Sequence, residues 1–118
     1  MAEEAKGELM RVYVAAPYTH GDIGENMRRA IDAGMAILDS GDAPVVPHLS
    51  HFLHLQHPRP YETWIEMGLE LLAGCDAVVR LPGFSPGAER ETKRAAQLGI
   101  PVYLGVGEFL ERRTCRRP

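Results

Sequence analysis

Residues 9–22 read LMRVYVAAPYTHGD. Leu9–Ala16 has the length and apolar character of a buried strand, and Pro17–Gly21 that of the loop following it. Asp22 then stands three residues before Glu25, the spacing of a capping box. Beyond it Ile23, Met27, Ala30, Ile31, Gly34, Ile37 and Leu38 recur at helical spacing, with Gly41 placed to stop the helix. This is a β-loop-α unit.

Reading outward, the same alternation continues. Ala43–Pro47 (APVVP) is a short second strand, and His48–Pro60 (HLSHFLHLQHPRP), bounded by prolines, reads as an irregular loop. A second helix begins near Tyr61, repeats its apolar positions at Trp64, Ile65, Gly68, Leu71 and Leu72, and ends at Gly74. Ala77–Leu81 (AVVRL) is a third strand, Ser85–Leu98 a third helix and Ile100–Leu104 (IPVYL) a fourth strand. Glu108–Arg113 suggests a last helical turn, and RRTCRRP, residues 112–118, a solvated tail. Strands alternating with helices predict an α/β fold, a three-layer, doubly wound parallel sheet of four to five strands with its sites at the C-terminal strand ends.

The chain has 118 residues, 45% hydrophobic and 25% charged, which fits one domain spanning 1–118 with a polar leader (1–8) and the tail. With 13 basic against 16 acidic residues it lacks the basic field of a nucleic-acid binder. Its apolar runs are too short to cross a bilayer, and the charged MAEEAKGELM start is unlike a signal sequence, so a cytoplasmic protein is expected. Cys75 and Cys115 have no CxxC spacing, which argues against a disulfide framework or a thiolate zinc site.

Three loops, Pro17–Gly21, His48–Pro60 and Pro82–Gly87, are expected to meet at one sheet end. The third opens LPGFSPGAERETKRAAQLG, residues 81–99. Ser85 and Gly87 stand where a helix begins, so backbone N–H groups, a hydroxyl and the helix dipole converge on a place suited to an anion such as phosphate. Ser85 reads equally as an ordinary N-cap, with Pro86 in the first turn. At about 100° per residue, Ala88, Glu91, Ala95 and Leu98 share one arc while Glu89, Arg90 and Lys93 point elsewhere. Glu91 is therefore the carboxylate on the apolar face. Burial there is costly unless the group is paired or functional; it suits a nucleophile or general acid/base, or a Glu that bonds a neighbouring loop.

His48, His51, His54 and His57 recur every third residue. Partner ligands at zinc spacing are missing, so no metal is assigned and the series is read as pocket wall. Neither GxGxxG nor GxxxxGK[ST] occurs, which disfavours nicotinamide redox and ATP-driven chemistry; no cofactor is expected.

VYVAAPYTHGD, a helix with Asn26, VPHLSHFLHLQHPRPYETW, CDAVVRLPGFSPGAERE and AAQLGIPV together resemble the nucleoside 2-deoxyribosyltransferase-like family over about residues 11–104. The SxGxxxE element, Ser85, Gly87 and Glu91, carries most of the likeness. The resemblance implies a flavodoxin-like sheet and cleavage of an N-glycosidic bond in a nucleoside or nucleoside 5′-monophosphate. It makes Glu91 the nucleophile and places Tyr13 beside the sugar and carboxylate. Substrate contacts are expected from Ala16, Pro17, Tyr18, Thr19, His20 and Gly21, from His48, His51 and Trp64, and from Pro82, Gly83, Ser85 and Gly87. A phosphate would rest on Ser85, Gly87 and the first loop. A homodimer or higher oligomer is also implied.

One position departs from the family. Eight residues before Asp76, where the family carries a sugar-binding Asp, this chain has Gly68. Gly68 is expected to face the site without a carboxylate; if that absence limits activity, Gly68→Asp should raise turnover, and no change would mean the sugar is recognised by another route. Two further readings remain: a non-catalytic nucleotide-binding or sensing module, and a phosphoribohydrolase of the cytokinin-activating type, whose fuller glycine-rich motif is not matched.

Overall fold

The computed structural model describes residues 9–116, so the polar leader 1–8 lies outside the described residues. The elements in chain order are β1 (Arg11–Ala15), α1 (Ile23–Asp39), β2 (Ala43–Val45), a 3₁₀ turn (Pro47–Leu49), α2 (Ser50–Gln56), α3 (Tyr61–Ala73), β3 (Ala77–Arg80), α4 (Pro86–Gln97), β4 (Val102–Leu104) and α5 (Val106–Arg116). All strand pairs are parallel and the order is β2-β1-β3-β4. This is the doubly wound α/β architecture, in the flavodoxin-like order. Its switch point falls between β1 and β3.

Alternation along β1 sends neighbouring residues to opposite layers. Val12 and Val14 pack with Ala30, Ile37 and Phe109 under α1 and α5. Tyr13 and Ala15 pack with Leu72, Ala88 and Ala95 under α3 and α4. At the switch point the loops after β1 and β3 lean together. Gly83, at φ +118°, is glycine both for its backbone and because a Cβ there would meet Pro17 Cγ at 2.9 Å.

Three expectations are corrected. First, residues 48–60 are not an irregular loop: they hold part of the 3₁₀ turn and all of α2. The prolines bracket these elements, with Pro47 opening the turn and Pro58 following α2, and a proline at a first helical position removes no needed N–H. Second, α1 turns its stripe: Asn26 and Ala33 are buried, whereas Ile31 and Leu38 are exposed. Third, residues 112–118 are not wholly a solvated tail. α5 extends to Arg116, and Arg113 is buried against Asp42, donating from Nε to Oδ2 at 2.7 Å and from Nη2 to Oδ1 at 2.9 Å. Asp42 Oδ1 also accepts the Met10 N–H at 3.0 Å, so one buried ion pair joins α5 to the entry of β1.

Candidate active site

The site is built around one carboxylate. Ser85 caps α4, its Oγ accepting the Ala88 N–H at 3.0 Å, and this start angle puts Gly87, Ala88, Glu91 and Ala95 on the buried face. Glu91 is 6% exposed. From the central strand, fully buried Tyr13 donates its hydroxyl to Glu91 Oε2 at 2.6 Å. Burial raises the Glu91 pKa to about 7, against the pull of the Tyr13 hydrogen bond and of the Arg80 and Arg90 charges. Burial, and then the Glu91 charge, push the Tyr13 phenol far above its ordinary range, so it stays a donor. A carboxylate tuned to neutral pH and held by a single donor can serve as nucleophile or proton carrier.

Gly68 of α3 is part of the same arrangement. A Cβ on Gly68 would stand 2.6 Å from the Tyr13 hydroxyl and 3.5 Å from Glu91 Oε2. The phenol thus rests on the bare α3 backbone. An Asp at position 68 would therefore meet the hydroxyl that holds Glu91.

In front of Glu91 lies a cavity of about 50 Å³. Of the expected contacts, Ala16, Tyr18, His48, Trp64, Ser85 and Gly87 line it with Glu91. His48 is buried, and its Nε2 donates to the Pro17 carbonyl at 2.8 Å; burial lowers its pKa, which favours the neutral ring. Tyr18 shares a 2.5 Å hydrogen bond with His51 Nδ1, placing His51 behind the wall. Trp64 Nε1 donates to His54 Nδ1 at 2.9 Å, and the Arg59 N–H reaches the same nitrogen at 3.2 Å. The His54 Nδ1 is thereby committed to holding the segment before α3. His57 is exposed. The four histidines therefore diverge, and among the described residues no three potential ligands converge on a metal position.

Besides His51 and Gly68, six expected contacts do not line this cavity. Pro17 and Pro82 line a different one, of about 420 Å³, under α1 and α5 on the opposite face of the sheet. Gly83 is engaged with Pro17. Thr19, His20 and Gly21 are exposed because Asn26 Nδ2 draws the carbonyls of Tyr18 (2.9 Å) and His20 (2.8 Å) inward. His20 instead packs edge-on against Phe84.

Three residues of the site were given no role by the sequence alone. Asn26 shapes the first loop. Arg80 ties the loop after β3 together by donating to the Leu81 and Gly83 carbonyls and to Glu89. Tyr61 lines the cavity. Its spacing from Trp64, Ile65 and Gly68 already puts it on the α3 face that points to the site, which was the available signal.

These features define an α/β protein with a buried glutamate at the switch point of a parallel sheet. A solved structure of the same fold is a 2-deoxyribosyltransferase from the psychrotolerant bacterium Bacillus psychrosaccharolyticus, described as a suitable biocatalyst for industrial nucleoside synthesis. It is 20% identical, with a TM-score of 0.58 over 78% of this chain and 69% of its own. No curated protein sequence matches significantly. By the family model that matches residues 10–104, the chain belongs to the family described as Domain of unknown function (DUF7768).

Proposed function

We propose that this protein cleaves or transfers at the N-glycosidic bond of a nucleoside-type substrate, with Glu91 as nucleophile. The observation that carries the reading is the buried Tyr13–Glu91 hydrogen bond at the edge of the cavity. The likeness of fold to a 2-deoxyribosyltransferase supports the substrate class.

In this reading an ionised Glu91 oxygen bonds to the anomeric carbon as the bond from that carbon to the base nitrogen breaks. The base leaves with the electron pair and takes a proton from water. The positive charge that develops on the sugar is balanced by the carboxylate, and Tyr13 fixes which carboxylate oxygen is free to attack. Water or a second base then attacks the same carbon. This frees Glu91 as a carboxylate and, when water attacks, yields the free sugar and a proton.

The test is release of free base from a panel of nucleosides and their 5′-monophosphates, for the native protein and Glu91→Gln. Release by the native protein with loss in the variant is expected. Undiminished release in Glu91→Gln overturns the assignment, and tight binding without release in the native protein supports a binding or sensing module instead.

A further inference from the structure

Tyr61 is the first residue of α3 and a wall of the Glu91 cavity. Its hydroxyl lies 2.6 Å from where a Cβ on Gly87 would stand, so the phenol rests on the first turn of α4. That cavity, about 50 Å³, is far below the roughly 300 Å³ at which small-molecule pockets begin. With Tyr61 as its wall it leaves little room over the α4 N-terminus. Tyr61 is 47% exposed and without a hydrogen bond among the described residues.

The α4 N-terminus has little left with which to hold an anion. Pro86 has no N–H, the Ala88 N–H is taken by Ser85 Oγ at 3.0 Å, and the Glu89 N–H by the Ser85 carbonyl at 3.0 Å. In that turn the Gly87 N–H and the Ser85 hydroxyl proton are left, and the Tyr61 phenol packs against Gly87. The two guanidiniums that act on Glu91 are both engaged. Arg80 donates to Leu81, Gly83 and Glu89, and Arg90 grips Glu62 through two bonds of 2.9 and 2.8 Å. A phosphate monoester, carrying roughly −1.5 to −2 charge at neutral pH, would stand near the Glu91 carboxylate with only the Gly87 N–H and the Ser85 hydroxyl to receive it. The hydroxymethyl end of an unphosphorylated sugar brings no charge.

We propose that Tyr61 is a specificity-determining residue that fills the place at the α4 N-terminus a 5′-phosphate needs, and so favours nucleosides over their 5′-monophosphates. This deepens, and rests on, the N-glycosidic reading of the same site. Burial and the Glu91 charge raise the Tyr61 pKa, which keeps the phenol neutral in that position.

The experiment measures calorimetric binding of matched nucleosides and 5′-monophosphates to Glu91→Gln protein, alone and combined with Tyr61→Ala or Tyr61→Phe. Base release is measured in parallel on protein with Glu91 intact. Nucleosides should bind at least about tenfold tighter than their monophosphates, and Tyr61→Ala should shrink that ratio by about tenfold or invert it. Tyr61→Phe keeps the ring and guards against misfolding of the alanine variant; it should shrink the ratio by about threefold. Monophosphates binding as tightly as nucleosides, or a ratio unchanged by both substitutions, overturns the role of Tyr61. Base release mainly from monophosphates leaves the chemistry intact while rejecting Tyr61 as the discriminator. A nucleoside preference that depends on Tyr61 without any base release does the reverse. Binding of neither class overturns both.

Discussion

Tyr13 and Tyr61 flank the Glu91 site from different elements, and each sets its hydroxyl 2.6 Å from where a glycine lacks a Cβ. Tyr13, on the central strand, is fully buried and bonded to Glu91; its seat is Gly68. Tyr61, at the start of a helix, is 47% exposed; its seat is Gly87. The same close approach therefore has opposite consequences. The inner phenol is fixed from all sides and sets the state of the carboxylate, whereas the outer one can yield. A small domain can in this way build a rigid half and an adjustable half of one site from the same residue pair.

The largest effect tests what both tyrosines surround. Glu91→Gln should lower base release by about 10³-fold or more, since a nucleophile is lost outright. The same variant has a stability signature. The Glu91 pKa is raised from 4.5 to about 7 in the fold, so the folded state holds its proton more tightly than the unfolded state. That contribution is fully present below about pH 4.5 and is lost as pH rises through about 7. Glu91→Gln should hence be more stable than the native protein at pH 8, by no more than roughly 3–4 kcal/mol, and the advantage should vanish in acid.

Next comes the inner seat. Gly68→Ala should cost about 1–3 kcal/mol in denaturant unfolding, because neither the α3 backbone nor the buried phenol can move aside. Gly68→Asp should cost more and should lower base release. Adding Tyr13→Phe to either variant removes the clashing oxygen and should recover part of the stability.

Tyr13→Phe alone is a smaller change with a distinct mark. Because the Tyr13 hydrogen bond lowers the Glu91 pKa, losing it should shift the rising limb of the kcat/KM pH profile from about 7 to higher pH. The smallest effect is expected at the outer seat. Gly87→Ala meets the Tyr61 hydroxyl as closely as Gly68→Ala meets that of Tyr13, but the exposed ring can swing out, and Ile65 Cδ1, at 3.2 Å, need give by only a few tenths of an ångström. Alanine also gains up to about 1 kcal/mol of helix propensity over glycine, so stability should change by less than that. Equal costs at positions 68 and 87 would break the contrast between the two halves.

Much of this was legible in the sequence because periodic patterns fix which side a residue faces. The apolar run of β1 marks it as a buried strand, the SPGAERE helix start sets the inward face of α4, and the helical arc singles out Glu91. The four parallel strands follow from the βα alternation. Residues 48–60 were less legible, because prolines that bracket a turn and a helix look, without a backbone, like those that break one. The Arg113–Asp42 pair was hidden by distance, since 71 positions separate its partners and nothing local marks a charge for burial. Gly68 shows the limit most clearly. A helical wheel states that it faces the site but not that a phenol from another strand already fills the space, which depends on how β1 and α3 pack.

The most direct test of the central claim is peptide mapping of protein acid-quenched after reaction with a 2′-fluoro nucleoside, which forms a slowly resolving sugar ester. The account predicts a mass gain of one fluorosugar on the peptide carrying Glu91, absent in Glu91→Gln. Fluorosugar attached to a different side chain, or free base produced while the Glu91 peptide stays unmodified at every quench time, would contradict it.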